Sequence, residues 1–139
     1  MKTLALILGL FITGIVANAQ DIKGITVKVT IENVLSDEGQ ILAALHTQDT
    51  FMRGLGIQNF QSKAKTGSIS FVFEDVKPGA YAISSLHDAN ENQRMDFEDS
   101  GMPKENYAMS GNEMNQGPPT FQDVKFEVNG EDLELNLRF

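Results

Sequence analysis

Cysteine and tryptophan are absent from this chain of 139 residues, and histidine occurs only twice. The lack of cysteine excludes disulfide scaffolds, thiolate zinc sites, iron–sulfur clusters and cysteine nucleophiles. It also excludes a lipid-modified cysteine behind an N-terminal leader, and with it a lipoprotein anchor. Any metal site in this chain must therefore be built from oxygen ligands or from the two histidines.

Basic residues are scarce, because 11 Lys and Arg stand against 19 Asp and Glu, for a formal net charge of −8. Nucleic-acid binding needs clustered Lys and Arg, so no nucleic-acid partner is expected. The same balance argues against adhesion to anionic membrane surfaces. With 41% hydrophobic residues, the chain is too apolar for a disordered polyanion and is expected to fold.

The one long apolar run lies at the N-terminus, where Lys2 precedes a run from Leu4 to Val16. The small-x-small site Ala17-Asn18-Ala19 follows, which is typical of a secretory signal peptide cut after Ala19. The run is shorter than the ~20 residues of a membrane span. We therefore predict a signal peptide over residues 1–19 and one mature domain over 20–139. The protein is then exported, periplasmic or secreted, with no membrane insertion after cleavage; the alternative is an uncleaved N-terminal anchor.

Alternation of apolar and polar residues dominates the rest of the chain and predicts strands. Ile25 to Glu32 alternate strictly, and further strands are predicted at Gln40–His46, Ile69–Phe73, Tyr81–His87, Phe121–Val128 and Leu133–Leu137. The segment from Thr47 to Lys65 has no clean period and is interpreted as a loop with one helical turn. Together these elements predict an all-β fold, a single antiparallel β-sandwich, prealbumin-like or Ig-like, with about seven strands.

Turn residues separate several of the predicted strands. The turn Ser36-Asp37-Glu38-Gly39 predicts a hairpin between the first two strands, and Asn129-Gly130 predicts one between the last two. The segment from Asp88 to Pro119 is the exception, because it is long, polar and rich in Asn, Gly and Pro. Loops longer than ~12–15 residues in a compact domain are usually functional or disordered. The residues within this one favour a functional loop.

The start of this long segment matches the twelve-residue calcium loop of EF-hands. Oxygen side chains fall at positions 1, 3, 5, 9 and 12, which are Asp88, Asn90, Asn92, Asp96 and Asp99. Arg94 at position 7 would contribute only its backbone carbonyl. Ca²⁺ takes six to eight hard oxygen ligands at ~2.3–2.6 Å, and a chain that curls around the ion presents alternate side chains to it. The sequence therefore predicts a Ca²⁺ site on a β-scaffold.

Two positions depart from the calcium-loop pattern. Gln93 stands at position 6, where Gly normally permits a turn at positive φ. Asp99 at position 12 is shorter than the usual Glu, and its neighbour Glu98 could replace it. We therefore expect weak binding, with a dissociation constant of ~10⁻⁴–10⁻³ M. The alternative interpretation is an Asx-rich surface turn without metal, since Asp and Asn hydrogen-bond their own backbone.

Motifs along the whole chain resemble those of a known family. They are Val76-Lys77-Pro78-Gly79-Ala80-Tyr81-Ala82-Ile83, His87-Asp88-Ala89-Asn90-Glu91-Asn92, Gly101-Met102-Pro103-Lys104-Glu105, Tyr107-Ala108-Met109-Ser110 and Gly117-Pro118-Pro119-Thr120-Phe121. From about Ile25 to Leu137 the chain resembles the DUF2141 family of exported bacterial proteins of undefined function. That family usually carries Asp-x-Asn-x-Asn-Gly-x-x-Asp, which implies ligand roles for Asp88, Asn90, Asn92 and Asp96, with Gln93 replacing the Gly.

The Pro-Gly-x-Tyr turn of the first motif carries a second resemblance. It is similar to the turn of transthyretin-like and carboxypeptidase-regulatory-like sandwiches. This similarity implies a β-sandwich and no particular activity.

Other candidate sites are weaker. His46 and His87 each close a predicted strand, so a two-His metal site with Asp88 is one interpretation and two loop-bonding side chains the other. Ser84, Ser85 and Ser110 lack the strand-turn-helix elbow of a nucleophile. No catalytic constellation is found, and the chain is not expected to be an enzyme.

The predicted function is that of an exported binding or structural module. Its calcium loop would order the long segment and present Tyr107–Phe121 to a protein or small-molecule ligand. The alternatives are a metal-assisted hydrolase around His87 and a plain structural envelope protein without metal.

Overall fold

A computed structural model describes residues 24–111 and 117–139. In this part of the chain the strands are β1 (Ile25–Val34), β2 (Gln40–His46), β3 (Gln58–Lys63), β4 (Gly67–Val76), β5 (Gly79–Asp88), β6 (Tyr107–Met109), β7 (Phe126–Val128) and β8 (Leu133–Arg138). Helix α1 (Phe121–Val124) precedes β7. None of the helices within these ranges has the length and apolar character needed to cross a bilayer. The predicted signal peptide, residues 1–19, lies outside the described residues.

The strands form two sheets, which confirms the predicted all-β sandwich. One sheet has the order β4-β1-β8 and the other the order β3-β2-β5-β6, with β7 also pairing with β5. Neighbouring strands run antiparallel except for β1 and β8, which are parallel. The strand that begins the described domain is therefore flanked by the strand that ends it.

The core lies between the two sheets and consists mainly of β-branched and aliphatic side chains. Val27, Val29 and Ile31 alternate along β1 and are fully buried. Leu45 of β2 and Ile83 of β5 are opposite each other in the second sheet and are buried as well. Burial of each such side chain stabilises the fold by about 1.5–3 kcal/mol. The alternation of apolar and polar residues in the sequence arises because each strand buries one of its two faces in this core.

Both predicted hairpins are wrong in their pairing, although the turns exist. Strands β1 and β2 lie in different sheets, as do β7 and β8. The turns at Ser36–Gly39 and Asn129-Gly130 therefore carry the chain from one sheet to the other. Turn residues specify a reversal of the chain, whereas the partner of each strand is decided by the burial of its apolar face.

The predicted strand Phe121–Val128 is wrong over its first half. Residues Phe121–Val124 form helix α1, whose Thr120 and Asp123 make a capping box. Phe121 and Val124 are one helical turn apart and both pack in a second apolar cluster with Phe51. Only the remainder, β7, is extended. The capping pattern Thr-x-x-Asp was present in the sequence and outweighs the strand propensity of Phe and Val.

The segment Thr47–Lys65, interpreted as a loop, contains strand β3. A turn at its start is closed by the Phe51 N–H, which donates to the Thr47 carbonyl at 3.1 Å. Strand β3 lies at the edge of its sheet and contacts the opposite sheet through Phe60, whose ring stacks on Phe71 at 3.9 Å between centroids. The other residues of β3 are polar, so the sequence has no alternation of apolar and polar residues that would predict this strand.

Candidate functional site

Asp88 ends β5 and anchors the long loop to the sheet. Its side chain is fully buried. Oδ1 accepts a hydrogen bond from the Asn92 N–H at 3.1 Å, and Oδ2 accepts one from the Gln93 N–H at 2.8 Å. Oδ2 also accepts from the Gln40 side-chain amide at 2.7 Å. A buried carboxylate is thus satisfied by three donors, two of which belong to the loop that it organises.

Gln93 adopts the backbone conformation that the calcium-loop pattern assigns to glycine. Its φ is 63°, in the left-handed region, and its N–H points at Asp88 Oδ2. This conformation costs a residue other than glycine about 1–2 kcal/mol. Gln93 therefore adopts, at an energetic cost, a conformation that Gly would adopt without strain.

The side chains at positions 1, 3, 5 and 9 are brought together. The Asn92 N–H is shared between Asp88 Oδ1 at 3.1 Å and Asn90 Oδ1 at 3.2 Å. The side-chain amides of Asn90 and Asn92 both donate to Asp96 Oδ2, at 2.6 and 2.8 Å. Each side-chain oxygen has two lone pairs, so Asn90 Oδ1 retains one beyond its bond to Asn92. Oxygen ligands of the kind that Ca²⁺ prefers are therefore clustered here.

Asp96 carries the charge at the solvent side of this cluster. The hydrogen bond from the Asn90 amide is the main cause that holds the pKa of Asp96 below its usual value. The Asn92 amide and the charges of Arg94 and Lys104 act in the same direction, and desolvation opposes them. The carboxylate is therefore ionised at neutral pH and able to bind a cation.

The two remaining predicted ligands, Arg94 and Asp99, lie outside this cluster of four side chains. The Arg94 N–H donates to Asn92 Oδ1 at 3.1 Å, and its exposed side chain reaches Asp96 Oδ1 with Nε at 3.8 Å. Asp99 lies in an exposed turn beyond Phe97, which forms an isolated bridge with Pro103. The hydrogen bonds that join positions 1, 3, 5 and 9 do not include Asp99. Its role as the twelfth-position ligand stays a prediction.

Glu105 closes the loop, and sequence reasoning missed it. Its Oε1 accepts from the Ala89 N–H at 3.2 Å and its Oε2 from the Asp96 N–H, also at 3.2 Å. The Lys104 N–H donates to the Asp96 carbonyl at 2.8 Å beside it. Glu105 therefore ties both ends of the Asp88–Asp96 loop together. Glu105 is 16 positions from Ala89, which matches the spacing of no local motif, so the sequence pattern does not predict this contact.

Within residues 24–111 and 117–139, no group of three or more His, Cys, Asp or Glu is placed to hold a metal ion. These four residue types do not include Asn, whereas the loop combines the carboxylates of Asp88 and Asp96 with the side-chain amides of Asn90 and Asn92. Amide and carboxylate oxygens are hard ligands that suit Ca²⁺ and do not favour Zn²⁺ or Cu²⁺. The residues present therefore suit a hard cation such as Ca²⁺.

A family model described as "Uncharacterized protein conserved in bacteria (DUF2141)" matches residues 29–136, from β1 to β8. The chain belongs to the DUF2141 family. The match confirms the resemblance drawn from the sequence motifs, and it includes the whole Asp88–Glu105 loop of this DUF2141 member. Searches of curated proteins and of solved structures returned no match.

The two histidines of this DUF2141 member do not form a metal site. His46 is opposite Ala82 and His87 is opposite Ile41, so the two lie at opposite ends of the paired strands β2 and β5. Five residues at about 3.4 Å per residue separate these positions by roughly 17 Å. Each ring bonds a loop instead: His46 bonds Thr50 through Nδ1, and His87 bonds the Glu38 carbonyl through Nε2.

His46 also contacts a serine. Its Nε2 lies 3.0 Å from Ser84 Oγ, and the ring is edge-on to Phe51 in the second apolar cluster. Burial lowers the pKa of His46, and the hydrogen bond with Thr50 opposes this effect only in part. The folded protein therefore holds His46 in its neutral form at neutral pH.

We expect the lowered pKa of His46 to make the fold less stable in mild acid. The unfolded chain takes up a proton on this residue below about pH 6.5, and the folded chain does so only at lower pH. The free energy of unfolding in urea should therefore fall as the pH decreases from about 7 to 5. A His46→Gln variant should show a shallower decrease over the same range. Equal slopes in both proteins would contradict this assignment.

The predicted partner surface Tyr107–Phe121 is only partly described, because residues 112–116 lie outside the described ranges. Tyr107 is 46% exposed in β6. Ser110 is buried, and its hydroxyl accepts from the Ile83 N–H and donates to the Val124 carbonyl. Ser110 therefore fastens this segment to β5 and α1. Partner binding by Tyr107–Phe121 stays a prediction.

Proposed function

We propose that this DUF2141 member is an exported β-sandwich module whose Asp88–Asp96 loop binds Ca²⁺ and thereby orders the loop segment up to β6. The observation that carries the proposal is the convergence of Asp88, Asn90, Asn92 and Asp96 around one loop whose sixth position adopts positive φ. Export rests on the sequence pattern of residues 1–19 alone.

The residues that would hold the ion are these four side chains, with the Arg94 carbonyl as a fifth ligand by the calcium-loop pattern. Asp88 is already fixed by its three donors, so its position does not depend on the ion. The side-chain amides of Asn90 and Asn92 stabilise the charge of Asp96 when no cation is bound. A cation has to take over that role, which is consistent with weak binding.

The role of the ion would be structural. It would neutralise Asp96 next to the backbone groups that hold Glu105, and so tighten the contact between the loop and the segment entering β6. A rigid loop at this end of the sandwich is suited to present a surface to a partner.

We expect Ca²⁺ to raise the melting temperature of the protein relative to EDTA. At about 50 times the dissociation constant, linkage gives roughly 2.3 kcal/mol of stabilisation. Asp96→Asn should abolish the shift, because it removes a charge that binds the ion while keeping the side-chain shape. Asp49→Asn, which makes the same charge change in an exposed turn far along the chain, should preserve it.

Two outcomes would contradict the proposal. Absence of a Ca²⁺-dependent shift in the unaltered protein would leave the loop as an Asx-rich turn without metal. A shift of equal size in Asp96→Asn would locate the binding elsewhere. The same titration with Mg²⁺ should give a smaller shift, since Mg²⁺ demands near-octahedral geometry that a loop of this kind does not impose.

A further inference from the structure

A small cavity opens at the end of the sandwich, next to the loop, and Ala89 and Glu105 belong to both. Its volume is about 160 Å³, and His87 and Lys104 are among its lining residues. This volume has room for several waters or for a ligand of about six non-hydrogen atoms. Such a volume suits a small metabolite and is too small to hold a peptide.

His87 is the buried polar group of this cavity. It lies on β5 opposite Ile41, on the face that points between the sheets, and is only 5% exposed. Its Nε2 lies 2.8 Å from the Glu38 carbonyl oxygen. A carbonyl oxygen only accepts, so Nε2 carries the hydrogen and donates it. In the neutral ring Nδ1 is then a hydrogen-bond acceptor of fixed direction.

The Nδ1 atom of His87 has no partner in residues 24–111 and 117–139. In the same part of the chain, no polar side-chain atom that is shielded from solvent lacks a hydrogen bond. Nδ1 is therefore accessible to solvent. Because the rest of the ring is buried and the ring lines the cavity, we infer that the cavity is where Nδ1 meets solvent.

Lys104 supplies a positive charge to the same cavity. None of the ion pairs formed within the described residues involves Lys104. The neighbouring carboxylate of Glu105 is different, since both its oxygens already accept backbone N–H groups of Ala89 and Asp96. Leu35 and Ala89 provide apolar surface at the cavity wall. The cavity therefore combines a cation that forms no ion pair within the described residues, one hydrogen-bond acceptor and a short apolar wall.

We propose that this cavity binds a small carboxylate that also carries a hydrogen-bond donor, as a hydroxy acid or an amino acid does. The carboxylate pairs with Lys104, and the hydroxyl or ammonium group donates to His87 Nδ1. The short hydrocarbon part packs against Leu35 and Ala89. A dianion fits less well, because the carboxylate of Glu105 lines the same cavity. This site requires no calcium and stands apart from the proposed function.

The test is an NMR titration of the full chain in EDTA, with the imidazole nitrogens of His87 as the readout. Lactate and alanine are the probes, and propionate, which has no donor beside its carboxylate, is the matched control. We expect a saturable shift of His87 Nδ1 with at least one of the two probes. Propionate should bind about fivefold more weakly, as expected for the loss of one hydrogen bond. The ring of His46 at the opposite end of the sheet should not shift.

Variants separate the charge from the acceptor. Lys104→Met should weaken binding about tenfold, which corresponds to the loss of one charge-assisted contact. Lys77→Met, which changes an exposed lysine outside the cavity lining, should leave binding unchanged. Because the Lys104 side chain is exposed, Lys104→Met should fold as the unaltered chain does. The proposal is overturned if neither lactate nor alanine gives a saturable shift, or if propionate binds as tightly as lactate and alanine do. It is also overturned if Lys104→Met binds the probes as tightly as the unaltered chain.

The titration also keeps this proposal distinct from the calcium proposal. In EDTA the calcium loop is empty, so failure here says nothing about Ca²⁺ binding. Asp96→Asn, which should lose the Ca²⁺-dependent shift, should retain the response of His87 to the probes.

Discussion

Asp88→Ala should destabilise the protein by about 2–4 kcal/mol in EDTA, without any metal being involved. The substitution removes the acceptor of three hydrogen bonds, from the Asn92 and Gln93 N–H groups and the Gln40 amide. A buried donor that loses its partner costs about 1–3 kcal/mol, although water can reach the part-buried loop donors. At about 4 °C per kcal/mol, the melting temperature should fall by roughly 8–16 °C.

Two variants test the cause of this loss. Asp99→Ala removes an exposed carboxylate of the same loop and should change the melting temperature in EDTA by no more than about 2 °C. Asp88→Asn keeps the side-chain volume but turns an amide toward the donors, so its loss should be close to that of Asp88→Ala. An unchanged melting temperature for Asp88→Ala would mean that the three donors find other partners. Asp96, and not Asp88, is therefore the residue to alter when only metal binding is to be lost.

Leu45→Ala should lower the free energy of unfolding by about 2–5 kcal/mol. Leu45 is fully buried between the sheets, opposite Ile83. Truncation removes apolar contacts and leaves a cavity that the two packed sheets can only partly close. Urea unfolding should show a lower midpoint with an unchanged m-value.

Leu55→Ala provides the matched control, because Leu55 has the same side chain and is 80% exposed. Its effect should stay within about 0.5 kcal/mol. A loss of similar size in both variants would contradict the position of Leu45 in the core between the two sheets. It would also place Leu55 in a contact that the described residues do not make.

The alternation of apolar residues predicted the fold class because one buried face per strand leaves a direct trace in the sequence. Val27, Val29 and Ile31 show this on β1. The trace disappears in β3, where Phe60 alone reaches the core, and in α1, where Phe and Val follow a helical cap. Pairing was not predictable from turns, because Asn129-Gly130 reverses the chain equally well within one sheet or between two.

The candidate site was predictable where its residues are close in sequence. Asp88, Asn90, Asn92 and Asp96 follow a local spacing, and the structure brings them together. Glu105 was missed because its contacts to Ala89 and Asp96 depend on how the intervening hairpin folds back. The available Nδ1 of His87 was likewise invisible, since it follows from the position of Glu38 in a turn between two sheets. Local spacing determines local geometry, and the rest depends on the tertiary fold.

The parallel pairing of β1 with β8 has a consequence for the order of folding. Lys28 and Glu134 form an ion pair across these strands although they are 106 positions apart. Closing a loop of this length costs conformational entropy before any contact is gained, so such pairings slow folding. Until β8 docks, β1 has only β4 as a neighbour in its sheet. The smaller sheet is therefore complete only after this distant pairing has formed.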